Sequence, residues 1–132
     1  MSAAPGSGAS PRVVLQYFEG CPGWETAAER LREARRLAGM GELEIQLQKV
    51  ATPEEAARVG FGGSPTILFD GVDLFADTSP SVGYACRLYR TAAGAEGAPS
   101  LSQLAERLAE ALQRWNRSMF FPDLAASEWL CQ

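Results

Sequence analysis

Three cysteines, Cys21, Cys86 and Cys131, are the side chains of this chain best suited to chemistry at neutral pH. The chain contains no histidine, so it cannot by itself supply a Ser-His-Asp or Cys-His catalytic unit, or an imidazole ligand for zinc. Three cysteines this far apart also do not match the spacing of a zinc finger. The chemistry left to the sequence is that of a thiolate, which attacks disulfides and binds soft metals.

Cys21 has the surroundings most typical of a reactive thiol. It lies in a Gly-Cys-Pro turn, between an apolar run at residues 12–18 and a segment of helical periodicity at residues 24–38. A cysteine at the start of a helix faces unpaired N–H groups, which favour the thiolate, whereas Glu19 and Glu25 oppose it. We therefore expect Cys21 to be displayed at the start of the first helix. The alternative is that it fills a small apolar space, as buried cysteines often do.

The other two cysteines have less distinctive surroundings. Cys86 falls in an apolar run at residues 84–90 that predicts a last strand. It would either pack in the core or act as the second catalytic thiol beside Cys21. Cys131 is next to the last residue of the sequence, and we expect an exposed thiol in a mobile tail. The alternative for Cys131 is that the tail reaches an oxidised Cys21 and resolves it.

The segments that would position these thiols follow one another as strand, helix, strand, helix, strand, strand, helix. The spacing of the first two strands implies a parallel pair, and an Asp-Gly turn after the third strand indicates a hairpin. We therefore predict an α/β (α+β sandwich) fold with a four-stranded mixed sheet flanked by helices. The predicted strands lie at 12–18, 43–48, 66–69 and 84–90, and the predicted helices at 24–38, 52–60 and 100–115.

The length of 132 residues fits a single domain. Residues 1–11 are rich in Gly, Ala, Ser and Pro, which predicts a disordered N-terminal tail. The domain itself is predicted at 12–115. Residues 116–132 form a C-terminal extension whose large apolar residues follow no clear period, so it either packs back on the domain or meets a partner.

Composition narrows the functional classes. The net charge of -4 argues against a general nucleic-acid binder. No apolar run approaches the roughly 20 residues needed to span a bilayer, and the first eleven residues lack the order of a secretory signal. We therefore expect no membrane partner and a cytoplasmic location, where cysteines stay reduced.

Two short motifs resemble the thioredoxin-like superfamily. The Cys-Pro-Gly-Trp string at 21–24 lies where that family places its redox cysteine, and the Gly-Ser-Pro-Thr string at 63–66 lies where it carries a cis-proline. The resemblance covers residues 12–114 and implies one thioredoxin-like domain with the order βαβαββα. The longer strings at 17–24 and 63–71 resemble small thioredoxin-family proteins sometimes labelled alkylmercury lyase-like. True alkylmercury lyases are longer, so we expect that label to transfer poorly.

One departure from the family limits what the resemblance implies. The position of the second cysteine of a Cys-x-x-Cys pair is occupied by Trp24, so that disulfide cannot form. The resemblance also implies a substrate groove, because a cis Pro65 would bring the Ser64 backbone beside Cys21. An extended peptide or a glutathione-like thiol would pair with that exposed backbone, and Trp24 would form an apolar wall. The alternative for Pro65 is an ordinary trans turn proline.

Three functional hypotheses follow. In the first, Cys21 acts alone in thiol-disulfide exchange with a protein or small-molecule partner, and Cys86, Cys131 or glutathione releases the mixed disulfide. Glutathione would be a co-substrate, and we expect no other cofactor. In the second, a Cys21/Cys86 pair handles a soft metal or an organomercurial, with a nearby Asp as proton donor. In the third, the fold is a non-catalytic binding module that uses its aromatic tail.

Overall fold

The structure is a computed structural model that describes residues 11–76 and 83–120. Within these residues the chain forms strands and helices in an order close to the predicted one. The elements are β1 (Val13–Tyr17), α1 (Trp24–Leu37), β2 (Ile45–Lys49), α2 (Pro53–Val59), β3 (Thr66–Phe69), β4 (Val72–Asp73), β5 (Tyr89–Thr91), β6 (Gly94–Glu96) and α3 (Leu101–Phe120).

The main sheet has four strands in the order β2-β1-β3-β4. Strand β1 is parallel to β2 and antiparallel to β3, so Leu15 lies opposite both Leu47 and Ile67. Strand β4 is antiparallel to β3. The predicted α/β fold class, with a mixed four-stranded sheet and three helices, is therefore confirmed at this level.

The main core lies between the sheet and helices α1 and α3. Val13 and Leu15 are fully buried, and because side chains alternate along a strand they share one face of β1. Leu31 of α1 and Leu108 of α3 pack in the same cluster and are also fully buried. These contacts fix the end of β1 and the start of α1, between which Cys21 lies.

The strings Thr-Pro-Glu-Glu at 52–55 and Ser-Leu-Ser-Gln at 100–103 have the sequence pattern of capping boxes, and in both the hydroxyl of the first residue caps the helix. The Thr52 hydroxyl accepts the N–H of Glu55 at 3.0 Å at the start of α2. At the start of α3, the Ser100 hydroxyl accepts the N–H of Gln103 at 3.1 Å, and the Gln103 side chain accepts the N–H of Ser100 at 2.8 Å. Such caps satisfy backbone donors that no helical partner reaches. Helix α3 continues past the predicted boundary at residue 115 and ends at Phe120.

Helix α2 has a small core of its own, separate from the main one. Phe18 is half-buried and packs against this cluster from the turn that leads to Cys21. The cluster therefore supports the other side of that turn. Its buried members are Val50, Ala56 and Phe61.

The predicted strand at 84–90 is wrong. The strand beside β3 is β4, because Asp70 and Gly71 both have positive φ values, 52° and 88°, which turn the chain directly back. This turn places β4 at the position that the prediction gave to residues 84–90. Of those residues, Tyr89 and Arg90 enter β5, which pairs with β6 in a separate two-stranded sheet.

None of the helices in the described part of the chain is long and apolar enough to cross a membrane.

Candidate functional site

Cys21 lies in the turn between β1 and α1. Its N–H donates to the carbonyl of Phe18 at 3.2 Å, and α1 begins three residues later at Trp24. The prediction that Cys21 is displayed at the start of the first helix is wrong, because Cys21 is only 4% exposed. Its sulfur instead donates a hydrogen bond to the carbonyl oxygen of Ser64 at 3.2 Å. Cys21 is therefore buried against the residue that precedes Pro65.

Ser64 joins the two cysteine-bearing segments. Its hydroxyl accepts the N–H of Phe18 at 3.2 Å, and its carbonyl accepts both the Cys21 thiol and the N–H of Arg87 at 2.9 Å. Its own N–H donates to the carbonyl of Ala85 at 2.8 Å. Through these four bonds the turn that carries Cys21 and the segment that carries Cys86 meet at one fully buried residue.

Cys86 lies opposite Ser64 in an isolated parallel bridge, and its side chain is exposed. The predicted alternative that Cys86 packs in the core is therefore wrong. Three effects raise the pKa of the Cys86 thiol: desolvation first, then a hydrogen bond with Cys21, and then the charge of a Cys21 thiolate. The last two effects require the two sulfurs to be neighbours, although 65 positions separate the residues along the chain.

A negative charge on the Cys21 sulfur disfavours ionisation of the neighbouring Cys86 thiol. Because the pKa of Cys86 is raised, this thiol keeps its proton to a higher pH than an ordinary cysteine. Both cysteines are free thiols. The pair can lose two electrons to form a disulfide, or it can bind one soft metal ion between two thiolates.

The predicted groove residues occupy different surroundings from those expected. The Ser64–Pro65 peptide bond is cis, but both backbone groups of Ser64 are already bonded to the chain, and Pro65 is buried. The carbonyl of Pro65 accepts the hydroxyl of Tyr89. The exposed backbone that strand addition would need is thus taken up by residues 85–87. Binding of substrate by Ser64 and Pro65 stays a prediction.

Trp24 is the first residue of α1 and packs partly against the main core. Its ring stacks on Tyr17 at the end of β1, with the ring centroids 4.0 Å apart and an interplanar angle of 21°. This contact holds the start of α1 against β1. Its predicted role as a wall for a ligand stays a prediction.

Arg87 was missed by sequence reasoning. Its side chain is fully buried and forms an ion pair with Asp73 at 2.9 Å. It also donates to the hydroxyl of Thr66 at 3.2 Å and to the carbonyl of Phe75 at 2.8 Å. In an alternating run, an arginine beside a cysteine is typical of an exposed strand position, so the sequence carried no signal of this burial.

Two aspartates, Asp70 and Asp73, lie in the β3–β4 hairpin. No group of three or more Cys, Asp or Glu side chains in the described ranges is arranged to hold a metal ion. The carboxylate of Asp73 is bonded to Arg87 and accepts the N–H of Phe75 at 2.8 Å, and Asp70 forms the turn before β4. Cys131, Asp77 and residues 121–132 of the predicted C-terminal extension lie outside the described residues.

Comparisons with protein-family models, with curated proteins and with solved structures found no match for this chain.

Proposed function

We propose that this chain is a thioredoxin-like thiol protein in which Cys21 and Cys86 act together in thiol-disulfide exchange. The substrate would be a protein or small-molecule disulfide. The observation that carries the proposal is the meeting of the two cysteines at Ser64: the Cys21 thiol donates to the Ser64 carbonyl, and Cys86 lies opposite Ser64 in a parallel bridge. The pKa of Cys86 is raised by desolvation first and then by its hydrogen bond with Cys21, which agrees with neighbouring sulfurs. Two adjacent thiols can pass two electrons to a disulfide without a further cofactor.

The topology supports the thioredoxin-like part of the proposal. The parallel pair of β1 and β2 and the β3–β4 hairpin agree with the element order βαβαββα that the resemblance implies. The hairpin of β5 and β6 is an addition between β4 and α3. Cys21 lies between β1 and α1, where the resemblance places the redox cysteine.

Exposure assigns the two thiols different roles from those that the sequence suggested. Cys86 is exposed and Cys21 is 4% exposed, so Cys86 is the sulfur that a substrate can reach. The Cys86 thiolate attacks one sulfur of the substrate disulfide, forms a mixed disulfide and releases one substrate thiolate. Cys21 then attacks the Cys86 sulfur, forms the Cys21–Cys86 disulfide and releases the second thiolate. The two substrate thiolates take up the two protons that the cysteines lose.

The raised pKa of Cys86 makes the first step depend on pH. Only the thiolate attacks a disulfide, so the rate rises as the pH approaches the pKa of Cys86. In the reverse direction an external thiolate attacks the exposed Cys86 sulfur, and Cys21 is the leaving group. The reverse step does not require Cys86 to ionise.

Disulfide mapping in glutathione buffers tests the proposal. Wild type and the control Cys131→Ser are equilibrated with reduced and oxidised glutathione, quenched in acid, alkylated and digested for mass spectrometry. We expect one Cys21–Cys86 disulfide in both proteins and none in Cys21→Ser or Cys86→Ser. A disulfide between Cys21 and Cys131, or two separate glutathione adducts at Cys21 and Cys86, would contradict the proposal.

Trapping of the mixed disulfide tests the order of the two thiols. Cys21→Ser keeps the exposed thiol but cannot complete the second step, so we expect it to accumulate glutathione on Cys86. Cys86→Ser retains the buried thiol and should react with oxidised glutathione more slowly. Faster reaction of Cys86→Ser would make Cys21 the attacking sulfur.

The same pair of neighbouring sulfurs favours a second candidate function, the binding of a soft metal such as mercury(II) or copper(I). Two thiolates are suitable ligands for such ions. The candidate is proposed for binding alone, and the Asp73 carboxylate, which forms an ion pair with Arg87, is given no role as a proton donor. It predicts one-to-one binding that is lost in both Cys21→Ser and Cys86→Ser. Tight binding without disulfide formation in glutathione would favour this candidate over exchange.

A further inference from the structure

We infer that Arg87 is a positioning residue for the Cys21–Cys86 pair: its buried guanidinium holds the Cys86 segment against Ser64 and so sets the separation of the two sulfurs. This inference rests on the proposed function, because it concerns how readily the two thiols join. Arg87 touches neither a substrate nor a reacting sulfur through its side chain, so its effect would pass through the backbone.

The guanidinium of Arg87 is bonded to residues of the main sheet and of the turn after it. It contacts Thr66 of β3, Asp73 of β4 and the carbonyl of Phe75. It also lies 4.8 Å from the centre of the Tyr89 ring, a cation–π distance. These contacts tie a segment without regular secondary structure to the rigid sheet.

The backbone of Arg87 transmits this attachment to the thiols. Its N–H donates to the carbonyl of Ser64 at 2.9 Å, and that same oxygen accepts the Cys21 thiol at 3.2 Å. Cys86 immediately precedes Arg87. The backbone segments that carry the two sulfurs are therefore both held by the same atom, the carbonyl oxygen of Ser64. Gly63 approaches so closely that a Cβ there would lie 2.9 Å from the Cβ of Arg87, which leaves the segment little room to shift toward β3.

Stability alone does not account for a buried arginine here. Burial of a guanidinium carries a desolvation penalty that an ion pair and hydrogen bonds only partly offset. Among the described residues, Nε of Arg87 has no hydrogen-bond partner. An apolar side chain of similar size would avoid both costs. It would not, however, bind the three oxygens that fix the direction of the segment.

The expected consequence is a change in effective concentration. An intramolecular disulfide forms in proportion to the effective concentration of one sulfur near the other. If the segment is no longer held, Cys86 samples positions farther from Cys21. The equilibrium constant for the Cys21–Cys86 disulfide against glutathione should therefore fall.

Three variants, each in the Cys131→Ser background, test this inference. Arg87→Met has a side chain of comparable reach without charge, and Asp73→Asn removes the charged partner while keeping an acceptor for Phe75. Leu108→Ala is the control, because it destabilises the core at a fully buried position outside the site. For each variant we would measure the glutathione equilibrium constant of the disulfide and the pH midpoint of Cys86 alkylation.

We expect Arg87→Met to lower the equilibrium constant at least tenfold, and Asp73→Asn to lower it about threefold. Both should bring the alkylation midpoint of Cys86 down, whereas Leu108→Ala should change neither quantity. A folded Arg87→Met within twofold of wild type in both readouts would overturn the inference. If Arg87→Met does not fold, an unchanged Asp73→Asn overturns it. Failure of wild type to form the disulfide would instead overturn the proposed function itself.

Discussion

The two cysteine-bearing segments, residues 17–24 and 83–88, are held in place in different ways. The first connects β1 to α1 above the apolar core, and its placement follows from the two elements on either side. The second belongs to no regular strand or helix and is held by its bonds to Ser64 and by the buried side chain of Arg87. Apolar packing of β1 and α1 therefore places the two ends of the first segment, whereas the second segment is placed by polar contacts between distant parts of the chain.

The largest expected effect is a loss of stability in the core that leaves the candidate site unchanged. Leu31 on α1 is fully buried, so Leu31→Ala should lower the free energy of unfolding by about 2–5 kcal/mol. Leu37→Ala on the same helix is the control, because Leu37 is 56% exposed and should cost less than about 0.5 kcal/mol. Urea unfolding measures both. The alkylation midpoint of Cys86 should not change in either folded variant, and a shift in Leu31→Ala would show that the core also sets the position of Cys86.

The next prediction concerns the close approach of Gly63 to Arg87, the residue that follows Cys86. Gly63 and Gly71 have φ values of 106° and 88°, so alanine is strained at both positions, by about 1–2 kcal/mol. Only at Gly63 would the new Cβ meet Arg87, which should add about 1–3 kcal/mol. We expect Gly63→Ala to be the less stable variant in urea and to lower the alkylation midpoint of Cys86. Equal losses of stability and an unchanged midpoint would mean that this contact does not hold the segment.

A matched pair of glycines tests the segment around Cys21. A Cβ on Gly23 would collide with the backbone of Gly97, whereas one on Gly20 would have only the Phe18 ring nearby, at 3.9 Å. Gly23→Ala should lower the free energy of unfolding by about 1–3 kcal/mol. Gly20→Ala should stay within about 0.5 kcal/mol of wild type. Similar urea midpoints for the two variants would show that the start of α1 can move away from Gly97.

The smallest expected effect is on the titration of the Cys86 thiol. The pKa of Cys86 is raised, so its alkylation rate should rise with a midpoint above that of an ordinary thiol, about 8.5. Cys21→Ala removes the hydrogen bond and the charge that raise the pKa, and should lower the midpoint. The folded state binds the Cys86 proton more tightly than the unfolded state does. The stability that this proton contributes is therefore fully present when the pH is below the pKa of Cys86 in the unfolded state, and it is lost as the pH rises through the pKa of Cys86 in the folded state. An unchanged midpoint in Cys21→Ala would mean that the sulfurs do not interact.

The sequence predicted the first segment better than the second because local patterns specify it. The apolar run of β1, the periodicity of α1 and both capping boxes agree with the structure. The Asp70-Gly71 turn was also predicted correctly, but the two-residue strand after it was too short to recognise. Residues 84–90 were consequently predicted to be the strand beside β3, a position that β4 occupies.

The sequence singled out residues that lie close together in the structure, although their role as a functional site stays a prediction. Cys21, Cys86, Ser64 and Pro65 do lie together, yet the sequence could not show that Cys21 is the buried thiol and Cys86 the exposed one. Cys86 is followed by Arg87, whose burial requires partners from β3, β4 and the turn beyond. A charge buried by such distant residues leaves no periodicity in the sequence.

The most direct test of the central claim asks whether the reduced Cys21 and Cys86 sulfurs are neighbours. A trivalent arsenical such as phenylarsine oxide forms a stable bridge only between two adjacent thiols, so native mass spectrometry of the reduced protein with this probe reports proximity without oxidation. We expect one bound arsenical in wild type and in Cys131→Ser, and none in Cys21→Ser or Cys86→Ser. Binding that persists in Cys86→Ser but is lost in Cys131→Ser would contradict it.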